Sequence, residues 1–293
     1  EEKRLRVDNQ PYGKFLENVK KHLFVNHPYR WTTIGEMDHL DAATLDEFLA
    51  FNKKFYVPNN AVLVVAGDID IDKTKTMVEA YFGAIPRGAD IERVSLTEEP
   101  IQEELKAEAF DSNIQIPAII TAYRTPSFKS RESRILDMIS TYLSDGPSSK
   151  LYKRLVDEKK MALQSGAINI AQEDYGMYVI FGLPQGEFKL TDLISEMDDE
   201  ILKIQKDLIS ERDYQKLLNK FENGFVSSNA SVEGIANSLA RYYMLYGDTN
   251  LINNEIDIYR SITREEIREV ANKYLNTNQR LVLEYLPEPE PAN

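Results

Sequence analysis

The sequence predicts an α+β fold made of two related domains, with helices packed on mixed or antiparallel sheets. Three observations predict it. Stretches with apolar residues at helical spacing alternate with short runs rich in valine, isoleucine and tyrosine. A helix–turn–strand unit that opens at Thr44 recurs at Thr263. The chain has 293 residues, 42% of them hydrophobic and 28% charged, which suffices for a sizeable core and for about two domains.

Taken in order, residues 9–24 read as a helix, which His27-Pro28-Tyr29 breaks because proline disfavours helix in the residue before it. Thr44-Leu45-Asp46-Glu47 is a capping box, in which the Thr44 hydroxyl and the Glu47 carboxylate satisfy otherwise orphan backbone N–H groups. Leu45, Phe48, Leu49, Asn52 and Phe55 then share one helical side, and Pro58-Asn59-Asn60 stops the helix. Residues 61–66 form a continuous valine-rich run, the pattern of a strand buried on both faces. Gly67-Asp68 ends it, and Asp72 opens a helix carrying Met77, Val78, Tyr81 and Phe82. Charges dominate from residue 86 to 108 around Pro100, which reads as a linker flanked by short extended segments.

Beyond the linker, residues 114–123 read as a strand, and Ile135, Leu136, Met138, Ile139, Tyr142 and Leu143 mark a buried helix. After the turn Asp145-Gly146-Pro147 come a helix at 149–158 and strands at 162–170 and 177–183. Residues 190–246 hold two or three helices; one more helix and one more strand close the chain before a Pro-Glu-Pro-Glu-Pro tail expected to be disordered.

The closing pair repeats the earlier one. Thr263-Arg264-Glu265-Glu266 is a second capping box. Sliding Thr44 onto Thr263, a shift of 219 residues (263 − 44), brings Glu47 onto Glu266, Lys54 onto Lys273, Phe55 onto Tyr274 and Asn59 onto Asn278. Val62-Leu63-Val64 falls on Leu281-Val282-Leu283 with no gap. Equal turn length and equal capping make duplication the better reading. The expected organisation is a first domain at 1–95, cut short at its amino end, a linker at 96–110, a second domain at 111–287 and a tail at 288–293. Helices are expected on one face of each sheet.

Composition excludes several functions. There is no cysteine, hence no disulfide, thiolate metal site or cysteine nucleophile. Thirty-five basic against 48 acidic residues give a net charge of −13, which repels phosphate backbones and argues against nucleic acid as a partner. No run of 18 apolar residues predicts a membrane span. The opening Glu1-Glu2-Lys3-Arg4 reads as the middle of a helix, not as a signal peptide, and implies an upstream segment. The compartment stays open between bacterial periplasm and cytoplasm. His22, His27 and His39 form neither H-x-x-E-H nor H-E-x-x-H, and no phosphate-binding glycine loop or G-x-S-x-G elbow is present. Motifs alone disclose no catalytic site.

A resemblance does more. His27-Pro28-Tyr29, Ile34-Gly35 and the run from Phe55-Tyr56-Val57-Pro58-Asn59-Asn60 through Val65-Ala66-Gly67-Asp68 resemble the insulinase/pitrilysin family of zinc metallopeptidases, as do Tyr81-Phe82-Gly83-Ala84-Ile85-Pro86 and Leu143-Ser144-Asp145-Gly146-Pro147-Ser148-Ser149-Lys150-Leu151-Tyr152. The resemblance implies repeated α+β domains that close like a clamshell on a peptide. In that family two histidines of an H-x-x-E-H helix and a later glutamate hold zinc, and the glutamate within the motif activates the zinc-bound water. H-x-x-E-H itself would lie upstream of this chain. By its offset Glu2 corresponds to the third zinc ligand, with Glu1 as the alternative. An Arg and, seven residues later, a Tyr that contact substrate in many members correspond here to Val156 and Leu163, whose apolar side chains cannot hydrogen-bond a peptide carbonyl. The resemblance therefore implies either part of a zinc endopeptidase, inactive by itself, whose Arg/Tyr pair comes from a homologous second half or partner subunit, or a non-catalytic member that assembles with active ones.

Overall fold

Strand residues with apolar side chains on both faces need cover on both sides, and the chain supplies it around one sheet. In the computed structural model, which describes residues 1–289, the elements run α1 (Phe15–Leu23), α2 (Met37–Ala42), α3 (Leu45–Phe55), α4 (Ile71–Phe82), β1 (Leu105–Asp111), β2 (Ala118–Pro126), α5 (Arg131–Ser144), β3 (Ala162–Ile170), β4 (Tyr175–Pro184), α6 (Leu190–Lys206), α7 (Glu211–Ser228), α8 (Val232–Tyr246), α9 (Leu251–Arg260), α10 (Arg264–Tyr274) and β5 (Arg280–Pro287). Two π-helical segments, Arg4–Asp8 and Tyr152–Glu158, lie outside these. The last four residues of the tail expected to be disordered fall outside the described chain.

By contacts the chain divides into two units. The first gathers residues 1–35, 96–219 and 258–289 around a five-stranded sheet in the order β1-β5-β2-β4-β3. β5 is parallel to β1 and antiparallel to β2, with Leu283 opposite Ala107 on one side and Ile120 on the other; β2–β4 and β4–β3 are antiparallel. The α+β class is as expected, and β2, β4 and β5 are buried along most of their length. Leu193 and Met197 of α6 sit so close to Gly182 that an added Cβ would lie 2.9 Å from Leu193, so the strand has no side chain where the helix crosses it. On the opposite face Val19, Leu23 and Phe24 pack with Ile120, Ala122, Met177, Val179, Leu281 and Leu283. Helices thus cover both faces of this sheet, where the sequence suggested one. The extra layer comes from the amino-terminal 35 residues.

The linker expected at 96–110 contains a strand. Leu105–Asp111 forms the edge strand β1, whose exposed Lys106 and Glu108 gave it the composition of a loop. Charged side chains on the open side of an edge strand are what such an edge tolerates. Two short helices, α2 and α9, also escaped the pattern.

The second unit gathers Glu36–Ser95 and Lys220–Asp257. Thr44 caps α3 with both bonds of the predicted box, and Gly247 ends α8 in a left-handed conformation (φ 72°) that glycine adopts without steric cost. Residues 61–66 differ from expectation. They pair with no strand among the described residues, and Leu63 and Val65 are 59% and 46% exposed. Burial on both faces needs neighbouring strands, and no other segment of this unit forms one among the described residues.

Candidate functional site

The expected metal ligand sits at the start of the chain, and its mount can be traced residue by residue. Glu2 and Lys3 begin a helical turn that widens into the π-helix Arg4–Asp8. Gly13 folds back so tightly that a Cβ there would lie 2.0 Å from the Val7 carbonyl oxygen, which only glycine permits. Tyr12, held at φ 60°, donates its backbone N–H to Asp111 Oδ2 at 3.1 Å and its hydroxyl to the Ile116 carbonyl at 2.8 Å. Asn113 donates to the Asp8 carbonyl at 2.8 Å. Lys3 is buried and donates to Glu17 Oε2 (3.1 Å) and the Gly35 carbonyl (2.7 Å). The turn is therefore fastened to the β1–β2 connection on one side and to α1 on the other. Glu2 itself is 70% exposed and pairs with Arg6 one turn on.

Asp111 anchors this mount. Burial pushes its carboxyl up, but hydrogen bonds from the Asn113 N–H, the Tyr285 hydroxyl (2.8 Å), the Asn113 side chain and the Tyr12 N–H outweigh burial and hold it below the usual carboxylate range. Burial, and then the bond to the Asp111 carboxylate and its charge, raise the Tyr285 phenol.

The other donors do not converge with Glu2. His22 Nδ1 donates to the Asn18 carbonyl at 2.8 Å. The buried His27 accepts the Tyr29 N–H at Nδ1 (3.2 Å), so its proton is on Nε2, which faces Asp174 Oδ2 at 3.2 Å. His39 lies on α2 in the other unit. Among the described residues no group of three or more His, Asp or Glu side chains is placed to hold a metal ion. A zinc site needs three protein ligands at about 2.0–2.2 Å, so the described residues do not by themselves fit zinc.

Val156 lies half-buried in the π-helix Tyr152–Glu158. Leu163 is exposed where β3 slips register between Ala162 and Gln164. Neither position has a polar side chain, so no side chain there donates to or accepts from a peptide.

Sequence reasoning missed the most elaborate polar cluster. The Glu98 carboxylate, 1% exposed, accepts three consecutive backbone N–H groups, from Val25 (2.9 Å), Asn26 (2.7 Å) and His27 (2.6 Å). Arg124 pairs with it at 3.2 Å and donates to the Glu99 carbonyl at 2.7 Å. Burial pushes Glu98 up, while the His27, Val25 and Asn26 N–H groups and the Arg124 charge bring it below the ordinary glutamate range. A cavity of about 680 Å³ opens beside it, lined by His22, Glu99, Glu103 and Arg124 among others. No sequence signal marks Glu98, since its backbone N–H donors lie 71–73 residues away and it stands in an acid-rich run.

Fold and site together describe an α+β domain in which no metal centre is assembled among the described residues. The family described as "Peptidase M16 inactive domain" matches residues 42–221, more than half of the chain, and this chain belongs to it. A zinc protease of Helicobacter pylori named PqqE is 27% identical over 282 residues, covering 95% of this chain and 63% of its own length. The crystal structure of a protease from Helicobacter pylori superposes with a TM-score of 0.89 at 25% identity, over 98% of this chain and 70% of that one. A peptidase M16 inactive domain from Pseudomonas fluorescens superposes with a TM-score of 0.82 at 16% identity, over 97% and 68%. The chain spans about three-fifths of the length of the curated relatives it matches. No helix among the described residues is long and apolar enough to cross a membrane.

Proposed function

We propose that this chain is part of a zinc endopeptidase that cleaves peptides or unfolded polypeptides inside a two-part chamber, and that by itself it is inactive. The observation that carries the reading is the state of Glu2. It stands exposed on a fastened turn and pairs with Arg6, and among the described residues the further donors zinc requires are not assembled around it. Zinc is thus a cofactor of the complete protein, held by Glu2 together with two histidines from outside these 293 residues. Relatives that carry the name zinc protease and are longer than this chain support the reading.

In the proposed domain division, residues 1–95 complete a first peptidase-like domain and residues 111–287 form a second, although by contacts residues 1–35 group with the β1–β5 sheet and residues 220–257 with residues 36–95. Apolar Val156 and Leu163 support a homologous half or partner subunit that supplies the Arg/Tyr pair. The test compares Glu2→Gln with the native residue in a version of the chain extended upstream through its own reading frame. Loss of zinc and of cleavage supports the assignment; full zinc retention by Glu2→Gln refutes it.

A second reading is favoured by the family's description as an inactive domain: a non-catalytic subunit that assembles with an active homologue. An extended version that neither holds zinc nor cleaves peptide would establish it.

A further inference from the structure

The strand β1 has one open side. It reads Leu105-Lys106-Ala107-Glu108-Ala109-Phe110-Asp111 and, among the described residues, pairs only with β5. Side chains alternate between the two faces of a strand. Leu105, Ala107 and Ala109 join the core face together with Leu281, Leu283 and Tyr285. Lys106 and Glu108 stand on the other face, where the Lys106 side chain is 79% exposed and Glu108 is exposed as well. There Glu108 lies beside Glu284 in the parallel register, and neither forms an ion pair among the described residues. Like charges side by side on a sheet repel. Lys106 reaches only Glu104, at 3.7 Å. A cavity of about 480 Å³ opens over this row, lined by Lys106, Glu108, Thr191 and Glu284 among others. The edge therefore presents an uncompensated acid and an accessible base two residues apart, beside a backbone without a neighbour.

We infer that β1 is an interface between two copies of this chain, which join antiparallel across a twofold axis through Ala107 and continue the five-stranded sheet of one copy into that of the other. Directly opposite residues of an antiparallel pair share a face, so the axis passes through a residue and not between two. An axis on Lys106 sets two lysines together, and an axis on Glu108 sets two glutamates together. An axis on Ala109 sets Glu108 against Phe110. An axis on Ala107 sets Lys106 of each copy against Glu108 of the other, so the complementary pair forms twice. On the core face the same register puts Ala107 on Ala107 and Leu105 on Ala109. Across the joined sheet the row then runs Glu284, Glu108 and the second copy's Lys106, which supplies the charge the two acids lack. Charges on an open edge block indiscriminate pairing. This pattern repels the neighbouring registers and admits one, which selects the chain's own copy as the occupant. The inference goes beyond the peptidase proposal and does not depend on it.

Sedimentation velocity over a concentration series tests this. At roughly 0.15 M salt the Debye length is about 8 Å, so the general repulsion between acidic chains is screened more than the contact pairs. The native chain should dimerise reversibly. Lys106→Glu and Glu108→Lys each turn two attractions into two repulsions, so either variant alone should dimerise about 10-fold more weakly or worse. Both side chains are exposed, so thermal melting of the monomer should not change. Mixed in equal amounts, the two variants are complementary again and should form a heterodimer. The double variant Lys106→Glu/Glu108→Lys should also recover dimerisation, because the exchanged charges still match across the axis. A native chain that stays monomeric up to about 1 mM overturns the inference and leaves the edge to a strand of another protein. A dimer that tolerates both single reversals overturns it too, as do single variants that fail to combine when mixed, since either result places the contact elsewhere.

Discussion

The Arg131 guanidinium forks the Glu266 carboxylate, with Nε at 2.7 Å from Oε1 and Nη2 at 3.0 Å from Oε2. Glu266 also closes the Thr263 capping box, accepting the Thr263 N–H at 2.8 Å. One carboxylate thus caps α10 and ties it to α5. Bonding to Arg131 is the main cause that holds Glu266 below its usual range. Arg131→Ala is expected to cost about 1 kcal/mol, discounted because the pair is about one-third exposed. Thr263→Ala costs about 1 kcal/mol through the cap. Urea unfolding of the double variant should show less than the sum of the two losses, because both act through Glu266.

Glu98 makes stability acid-sensitive. Its folded pKa lies below its ordinary value of 4.5, so its stabilisation is fully present above that value. It is lost as pH falls below 4.5 through the folded pKa. Glu98→Gln removes the charge, and the variant should lose about 2–3 kcal/mol at pH 7. The gap to the native chain should narrow as pH falls below 4.5, when native Glu98 protonates too. Urea midpoints across pH 3–7 measure this, and a gap independent of pH would contradict it.

Tyr285→Phe deletes the hydroxyl that donates to Asp111 at 2.8 Å. The expected loss is about 1–2 kcal/mol, as for a buried bond to a charged group. Because that bond helps hold Asp111 low, the Asp111 carboxyl should titrate at higher pH in the variant, which carboxyl NMR reads directly.

Much of the fold was legible in local sequence. Thr44 with Glu47 and Thr263 with Glu266 announce helix starts through chemistry that acts over three residues, and both boxes form. The strands β3 and β4 and the three helices α6, α7 and α8 follow from apolar spacing in the same way. What was not legible depends on distant partners. β1 is a strand because β5, some 175 residues later, pairs with it, while its own Lys106 and Glu108 read as loop. Residues 61–66 have the composition of a buried strand and stand bare, because composition records what a segment is shaped for and pairing requires the partner. For the candidate site, Glu2 was placed by resemblance alone; a single exposed carboxylate carries no local signature of a ligand.

The most direct test of the peptidase proposal is a zinc titration by calorimetry, coupled to cleavage of a denatured protein. It would be run on this chain and on the version extended upstream. The account predicts that this chain neither holds zinc stoichiometrically nor cleaves, and that the extended version binds one zinc and cuts in a chelator-sensitive manner. Stoichiometric zinc with chelator-sensitive cleavage by this chain alone, or an extended version that is metal-free and inert, would contradict it.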